Sequence, residues 1–210
     1  TMIDNMHLQH SVLGTFLLPV AQALRLAGVD PLQLLEDVGI DAASMANPDW
    51  RVPQEQFNLL MRRCVEESGD EAFGLLAAQQ IRPQVLHGLG LAWLASDTVY
   101  DGLRRLVRFG QLVSTASDIS LRDEGELTIV DLGRLPNAAN FHFANRDYVV
   151  GMVARMCNLA LGDFIAPVSV ELERPAPGAP ERWDSALSSR VSFACKHSRL
   201  NWYRTDILEP

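Results

Sequence analysis

Ser117-Asp-Ile-Ser-Leu-Arg-Asp-Glu-Gly-Glu-Leu-Thr-Ile-Val-Asp-Leu132 is the stretch that decides the fold class, because the spacing of apolar residues changes here from helical to alternating. Apolar and polar positions alternate on both sides of the Asp123-Glu-Gly125 segment, with apolar residues at Ile119, Leu121, Leu127, Ile129 and Leu132. Alternation with a period of two is typical of half-buried strands, and a polar, Gly-containing segment between two such runs is typical of a turn. The stretch therefore predicts a β-hairpin.

Five helical segments are predicted before this hairpin. Their apolar residues recur at helical spacing, in residues 11–27, 31–38, 53–68, 71–79 and 98–113. Asp30, Asp70 and Thr98 stand where an N-cap side chain accepts a hydrogen bond from the first helical turn, and Thr98 is followed by Asp101 as in a capping box. The first half of the chain is therefore expected to be rich in helix.

After the hairpin the pattern becomes helical again and then alternates. Pro136 is expected to begin a helix that ends at Gly162, and residues 168–172 alternate as a strand does. Residues 175–180 form a Pro-rich surface loop, and residues 191–194 predict the last strand. This order predicts an α+β fold with a helix-rich N-terminal half packed on a small, mainly antiparallel sheet.

The composition fits one globular domain of ordinary size. The chain has 210 residues, 48% of them hydrophobic, which is enough for a substantial core. We expect residues 10–210 to form a single domain and residues 1–9 to be disordered or derived from an expression tag.

The charge, the cysteines and the hydropathy exclude several classes of protein. With a formal net charge of −8, the chain should repel phosphate backbones and bind no DNA by itself. The three cysteines lie far apart without paired histidines, which favours reduced thiols over disulfides or a zinc site. The apolar run at residues 12–20 is too short to cross a bilayer and lacks the features of a signal peptide. The sequence therefore predicts a cytoplasmic protein with no membrane partner.

No motif of a common catalytic or cofactor site occurs. The chain lacks G-x-S-x-G, H-E-x-x-H and the phosphate-binding loop, and Gly88-Leu-Gly90 lacks the third glycine of the dinucleotide fingerprint. The acidic residues at 123–126 are interpreted as a solvated hairpin tip. We expect no enzyme, no catalytic residue, no metal and no cofactor, while an enzyme that uses His87 with a carboxylate remains an alternative.

Several short motifs follow one another along the chain. They are Arg51-Val-Pro53, Ser68-Gly-Asp70 with Phe73-Gly-Leu75, Gly88-Leu-Gly90, Ser96-Asp-Thr98 with residues 103–109, and a closing block with residues 191–194, a turn at Leu200-Asn201 and an exit at residues 207–210. In order and spacing they resemble the N-terminal, arabinose-binding domain of AraC-type transcription regulators. The resemblance implies a regulator that binds a small-molecule effector here and promoter DNA through a C-terminal pair of helix-turn-helix motifs, expected after residue 210.

The first candidate ligand-binding residues are His87, Trp93 and Phe109. His87 precedes Gly88 and Gly90, whose missing side chains would let a ligand approach the backbone. The two aromatic residues would form walls of the same pocket. The alternative for His87 is a structural histidine, and for the aromatic residues it is ordinary core packing.

Two further groups lie on helices. Arg104 and Arg108 are one turn apart and could bind a carboxylate, unless they are solvated or held in local salt bridges. Phe141, Asn145 and Tyr148 share one helix face and combine apolar surface with hydrogen-bonding groups, unless they pack in the core.

Taken together, these patterns predict an effector-sensing regulatory domain that acts as a homodimer. The arginine pair favours an amphipathic carboxylate as the effector, while an amino acid, an aromatic acid, a fatty acid and a sugar all remain open. The alternative function is a dimerisation module without a functional ligand pocket.

Overall fold

The computed structural model describes residues 10–136, 141–161 and 165–209. Within these residues the helices are α1 (Leu17–Leu26), α2 (Pro31–Asp37), α3 (Gln54–Ser68), α4 (Phe73–Ala78), α5 (Gly88–Leu94), α6 (Val99–Val113), α7 (Phe143–Leu161), α8 (Glu181–Leu187) and α9 (Arg204–Leu208). The strands are β1 (Ser11–Leu13), β2 (Arg51–Pro53), β3 (Ser117–Glu124), β4 (Leu127–Arg134), β5 (Ser169–Glu171), β6 (Arg190–Ser192) and β7 (Arg199–Tyr203). The predicted α+β class is confirmed.

The main sheet has the strand order β3-β4-β7-β5-β6. Its neighbours are antiparallel except for β5 and β6, which are parallel. The predicted hairpin is confirmed: β3 and β4 pair as far as Glu124 opposite Leu127, and Gly125 takes the left-handed conformation at φ 60° in the turn. β7 lies between β4 and β5, so it joins the hairpin to the rest of the sheet.

The position of β7 corrects the sequence prediction. The turn expected at Leu200-Asn201 is wrong, since both residues are buried inside β7. An asparagine favours turns when only local sequence is considered. Here the Asn201 Nδ2 donates to Ser169 Oγ on β5 at 3.0 Å, so the sheet provides a partner for the amino group, whereas Oδ1 has none among the described residues. The predicted strand at residues 191–194 is shifted as well, because β6 ends at Ser192 and Ala194 has φ 55°.

The predicted helix at residues 11–27 begins too early. Its first three residues form β1, which pairs antiparallel with β2, and α1 starts at Leu17 after a 3-10 turn at Gly14–Phe16. The Gly14 amide donates to the Trp50 carbonyl at 2.8 Å. Apolar spacing alone does not distinguish a helix from a strand at residues 11–13, because Leu13 is buried in either case. The strand forms because its partner β2, far along the chain, pairs with it.

The helix starts predicted at Asp30 and Thr98 are confirmed, whereas the predicted cap at Asp70 is wrong, because α4 begins at Phe73 with Ala72 as its N-cap. The Asp30 carboxylate accepts from the Leu32 amide at 2.9 Å at the start of α2. The Thr98 hydroxyl oxygen accepts from the Asp101 amide at 3.1 Å at the start of α6. These contacts fix where each helix begins because they satisfy donors that have no partner within the helix.

Other helix boundaries differ from the prediction. α7 begins at Phe143, whereas Pro136 lies in a turn; residues 137–140 and the predicted end at Gly162 lie outside the described residues. Three short helices among the described residues, α5, α8 and α9, are not predicted, because α5 contains two glycines, α8 follows the Pro-rich loop and α9 has only five residues.

One apolar core joins the helices to the sheet. It includes Leu24 of α1, Leu60 of α3, Trp93 of α5, Val153 of α7 and Trp202 of β7, all fully buried. Trp202 is thus a core residue. Among the described helices, α7 packs against α3, α4, α5, α6 and α8.

Candidate functional site

An apolar cavity lies beside His87, between the 3-10 turn Pro83–Leu86, α5 and the end of α6. Its volume is about 410 Å³, in the lower part of the range typical of small-molecule sites. It is lined by Leu13, Leu86, His87, Gly88, Leu89, Ala92, Phe109 and Leu112. Two of the predicted site residues, His87 and Phe109, therefore line the same cavity.

His87 connects the 3-10 turn to α5 with an unusual backbone conformation, φ 52° and ψ −135°. For a residue with a side chain such conformations cost about 1–3 kcal/mol and persist only where surrounding contacts hold them. One such contact is visible: the His87 Nε2 lies 3.3 Å from Thr15 Oγ1. The Thr15 hydroxyl donates its single proton to the Val85 carbonyl at 2.8 Å. Nε2 is therefore the protonated nitrogen and donates to Thr15.

The groups around the His87 imidazole test the alternative that the protein is an enzyme that uses His87 with a carboxylate. In the described part of the chain, no carboxylate lies within hydrogen-bond distance of His87. The acid-base pair on which that alternative depends is not formed there.

The two glycines after His87 have different roles. Nothing lies within 4 Å of the position that a Gly88 side chain would take, so the backbone there is open to the cavity. A side chain on Gly90 would instead collide with the Pro83 carbonyl. The expectation that both glycines admit a ligand is wrong for Gly90, which allows α5 to pack against the preceding turn.

Arg51 connects two walls of the cavity. Its Nε donates to Ser11 Oγ at 2.8 Å, and its Nη1 donates to the Leu112 carbonyl at 2.8 Å. Ser11 belongs to the same strand as the lining residue Leu13, and Leu112 lies in the last turn of α6. Burial lowers the pKa of the guanidinium. The planar guanidinium holds β1 against α6, because its donors diverge at fixed angles.

The arginines of α6 have three different environments. The side chain of Arg104 is 67% exposed and lies 3.8 Å from Asp101 in the same helix. Arg105 donates to the Ala92 carbonyl and links α6 to α5. The Arg108 guanidinium lies 5.1 Å from the centroid of the Phe109 ring. Of the predicted pair, Arg108 therefore lies against a cavity-lining side chain, whereas Arg104 has a local carboxylate partner.

Trp93 is fully buried and packs against Gly102 of α6. It does not line the His87 cavity. Its position supports core packing rather than ligand contact.

The predicted group of Phe141, Asn145 and Tyr148 also lies away from this cavity. The prediction that all three share one helix face is wrong for Phe141, which precedes α7. Tyr148 is fully buried, and its hydroxyl donates to the Phe16 carbonyl at 3.0 Å. Asn145 is buried and donates from Nδ2 to Asn58 Oδ1 at 2.9 Å. Phe141 lies under the guanidinium of an α7 arginine. The hydrogen-bonding groups expected to face a ligand are therefore used within the protein.

A second and more polar cavity adjoins Thr15. Its volume is about 610 Å³, and it is lined by Thr15, Leu18, Pro19, Gln22, Gln80, Arg82, Gln84 and Val85. Since Thr15 lines this cavity and His87 lines the first, the hydrogen bond between them connects the two cavities.

The most deeply buried charges belong to Asp147 and Arg174, which line neither of these cavities. The Arg174 guanidinium lies 4.2 Å from the Phe143 ring centroid and 4.5 Å from that of Trp183. Burial raises the pKa of Asp147 to about 6, against the lowering effects of Arg174 and the Trp183 indole. This cluster joins α7 to the segment between β5 and α8.

Other kinds of site are not found in the part of the chain that the structure describes. No group of His, Cys, Asp and Glu side chains there could hold a metal ion. None of the helices described is long and apolar enough to cross a membrane. Cys64 and Cys157 are buried free thiols, and burial raises the pKa of both.

The aliphatic residues that line the cavity, and the role of Arg51 in holding its walls together, are not predicted from the sequence. The leucines continue ordinary helical or alternating patterns, so nothing local separates a cavity wall from a filled core. The sequence contains one indication of where the cavity lies. A histidine next to two closely spaced glycines, at residues 87–90, marks a change of backbone direction.

Residues 28–210 match the family model for the arabinose-binding domain of AraC transcription regulators, which lies N-terminal in those proteins. The match covers most of the chain, so the chain belongs to this family of regulatory domains. The resemblance stated from the sequence motifs is thereby confirmed.

Among solved structures, the fold is similar to the crystal structure of the transcriptional regulator CdpR from Pseudomonas aeruginosa, with a TM-score of 0.60 and 15% sequence identity. The superposition covers 92% of this chain and 56% of that one, so this chain spans just over half the length of CdpR. At this identity the likeness shows a shared fold alone. The search of curated proteins gave no match.

Proposed function

We propose that this chain is the effector-sensing domain of a cytoplasmic AraC-type regulator. A small molecule binds in the His87 cavity and alters DNA binding by a helix-turn-helix domain of the same regulator. The observation that carries the proposal is the apolar cavity of about 410 Å³ beside a strained histidine. Membership of the family supports a regulatory role, and the net charge of −8 favours DNA contacts made by another domain.

The cavity is suited to sensing because its walls come from separate segments. Leu13 belongs to β1, Leu86 to the 3-10 turn and Phe109 to α6. A ligand that contacts all three favours the arrangement in which they lie together. It shifts the conformational equilibrium only by the difference between its affinities for the two states. The strained turn at His87, held through Thr15, is the element that we expect to differ between those states.

The first experiment is a thermal-shift screen of this chain against a metabolite library, because a ligand that binds only the folded state raises the melting temperature. Each hit is repeated on Ala92→Phe, which fills the cavity, and on Ala95→Phe, which places the same side chain at an exposed position after α5. We expect the stabilisation to be lost in Ala92→Phe and kept in Ala95→Phe. Equal stabilisation of both variants would place the ligand elsewhere.

The second experiment tests regulation in the whole regulator. The affinity for promoter DNA is measured with and without the hit, in wild type and in Ala92→Phe. We expect the ligand to change DNA affinity in wild type alone. A hit that binds tightly in the cavity but leaves DNA affinity, dimerisation and transcription unchanged would contradict the proposal.

The polar cavity is the better candidate for a sugar. A sugar in the apolar cavity would lose hydrogen bonds to water without replacing them, whereas Gln22, Gln80 and Gln84 offer amide partners in the other. The family description names arabinose, so L-arabinose belongs in the screen. Stabilisation by L-arabinose that Gln84→Ala removes and Ala92→Phe retains would move the effector site to the polar cavity.

A dimerisation module is the second candidate function, favoured by exposed leucines on neighbouring helices. Leu91 of α5 is 61% exposed and Leu112 of α6 is 64% exposed. Analytical ultracentrifugation of wild type and of Leu91→Glu with Leu112→Glu tests this. A dimer that the double variant dissociates, together with a screen that gives no ligand, would favour the dimerisation module.

A further inference from the structure

The lining of the His87 cavity restricts the chemistry of its occupant. Among the described residues that line it, His87 carries the only polar side chain, and the rest are aliphatic, aromatic or glycine. The cavity is open to solvent on the side of Leu112, which is 64% exposed, but hydroxyl groups placed against the apolar lining would lose water without new partners. The body of the occupant must therefore be apolar and small enough for about 410 Å³.

A positive charge lies next to the aromatic wall of this apolar space, on Arg108, which is not itself a lining residue. The Arg108 guanidinium stacks on Phe109, which lines the cavity. Within the described residues Arg108 has no carboxylate partner, whereas Arg104 lies 3.8 Å from Asp101. A guanidinium stacked on an aromatic ring keeps its N–H edge free to bind a carboxylate through two parallel hydrogen bonds.

We propose that the cavity binds a compact monocarboxylate with an aromatic or short aliphatic body, whose carboxylate pairs with Arg108 while its body packs against Leu86, Leu89 and Phe109. This inference rests on the proposed function and adds the chemical class of the effector. It also assigns the two arginines different roles: Arg108 binds the ligand, and Arg104 does not.

The test uses three carboxylates, benzoate, 4-phenylbutyrate and octanoate, each beside its neutral amide. Dissociation constants are measured by calorimetry for wild type, for Arg108→Gln and for the matched control Arg104→Gln. Both arginines are exposed, so neither substitution should prevent folding. We expect at least one carboxylate to bind wild type, and its affinity to fall about two- to fivefold in Arg108→Gln, as is typical of an exposed ion pair. Arg104→Gln should leave it unchanged, and the matching amide should not distinguish wild type from Arg108→Gln.

Failure of this inference and failure of the proposed function give different results. Equal binding of a carboxylate and its amide, with no effect of Arg108→Gln but loss in Ala92→Phe, overturns the ligand class and keeps the cavity as the sensing site. Binding by none of the three carboxylates also overturns the ligand class, and the metabolite screen then decides the proposed function separately.

Discussion

Arg174 and Arg182, which lie on either side of the Pro-rich loop, each pair with an aspartate, but one pair is buried and the other is largely exposed. Arg174 lies 2.5 Å from Asp147, with side chains 3% and 0% exposed. Arg182 lies 2.7 Å from Asp70, with side chains 49% and 24% exposed. The exposed pair makes two parallel contacts, whereas the buried pair makes one and leaves Asp147 Oδ1 without a hydrogen-bond partner among the described residues. Burial should nevertheless dominate the energetic difference between them.

Removal of the buried arginine should destabilise the fold much more than removal of the exposed one. Arg174→Met leaves the Asp147 charge buried without its partner, which typically costs about 3–5 kcal/mol. Arg182→Met should cost about 0–1 kcal/mol, as is typical of exposed pairs. Urea denaturation at neutral pH measures both. Equal losses of unfolding free energy would show that burial does not control this pair.

The pH dependence of stability should carry a component from Asp147. Burial raises the pKa of this carboxyl from 3.8 to about 6 in the folded state, so the folded protein holds the proton more tightly than the unfolded chain does. The stabilising contribution is therefore complete below about pH 4, declines as the pH rises to about 6, and is lost above that.

The comparison with Asp147→Asn isolates this component. The pKa values of Asp70 and Glu124 are lowered mainly by hydrogen bonds to Arg182 and Arg122, respectively, so their contributions to stability increase with pH. These contributions are the same in wild type and in Asp147→Asn and cancel in the comparison. We expect the stability of wild type relative to Asp147→Asn to decrease between about pH 4 and about pH 6. A constant difference across this interval in chemical denaturation would contradict the raised pKa.

Arg51→Lys should loosen the cavity. Lysine keeps the charge but cannot donate to Ser11 and Leu112 together in the same geometry. We expect a loss of about 1 kcal/mol in unfolding free energy, since part-buried acceptors in β1 and α6 lose their donor. Any ligand of the His87 cavity should also bind more weakly. Arg62→Lys, at an exposed arginine 3.9 Å from Glu66, is the control and should change neither quantity.

Gly90→Ala and Gly88→Ala form a matched pair on the same helix. The added methyl group meets the Pro83 carbonyl at position 90 and open space at position 88. We expect Gly90→Ala to cost about 1–3 kcal/mol through overpacking, and Gly88→Ala to stay within about 0.5 kcal/mol of wild type. Thermal and urea denaturation measure both. A tolerated Gly90→Ala would mean that α5 does not pack closely on the preceding turn.

The predictable parts of this fold are those that depend on neighbours in sequence. The caps at Asp30 and Thr98 and the hairpin turn at Gly125 use contacts within a few residues. β1 and β7 depend on partners far along the chain, so the local pattern at residues 11–13 suggests helix and Asn201 suggests a turn.

The same difference between local and distant contacts explains which residues of the candidate site could be predicted. His87 and Phe109 could be chosen because a histidine beside glycines and an aromatic residue on a helix are common in pockets. Phe141, Asn145 and Tyr148 show the same mixture of groups, but the space in front of them is filled by partners such as Phe16 and Asn58. Periodicity identifies the inward face of a helix and does not tell whether that face meets a hollow or a packed interior.

The central place of β7 has a consequence for synthesis on the ribosome. β4 and β5 do not pair with each other, and both use β7 as their neighbour. Translation proceeds from the N-terminus, so the β3–β4 hairpin and β5 cannot join one sheet until residues 199–203 have emerged. A nascent chain that pauses earlier exposes two unpaired strand edges, which are prone to association with other chains. The five-stranded sheet is thus completed late in synthesis, when the single strand β7 becomes available.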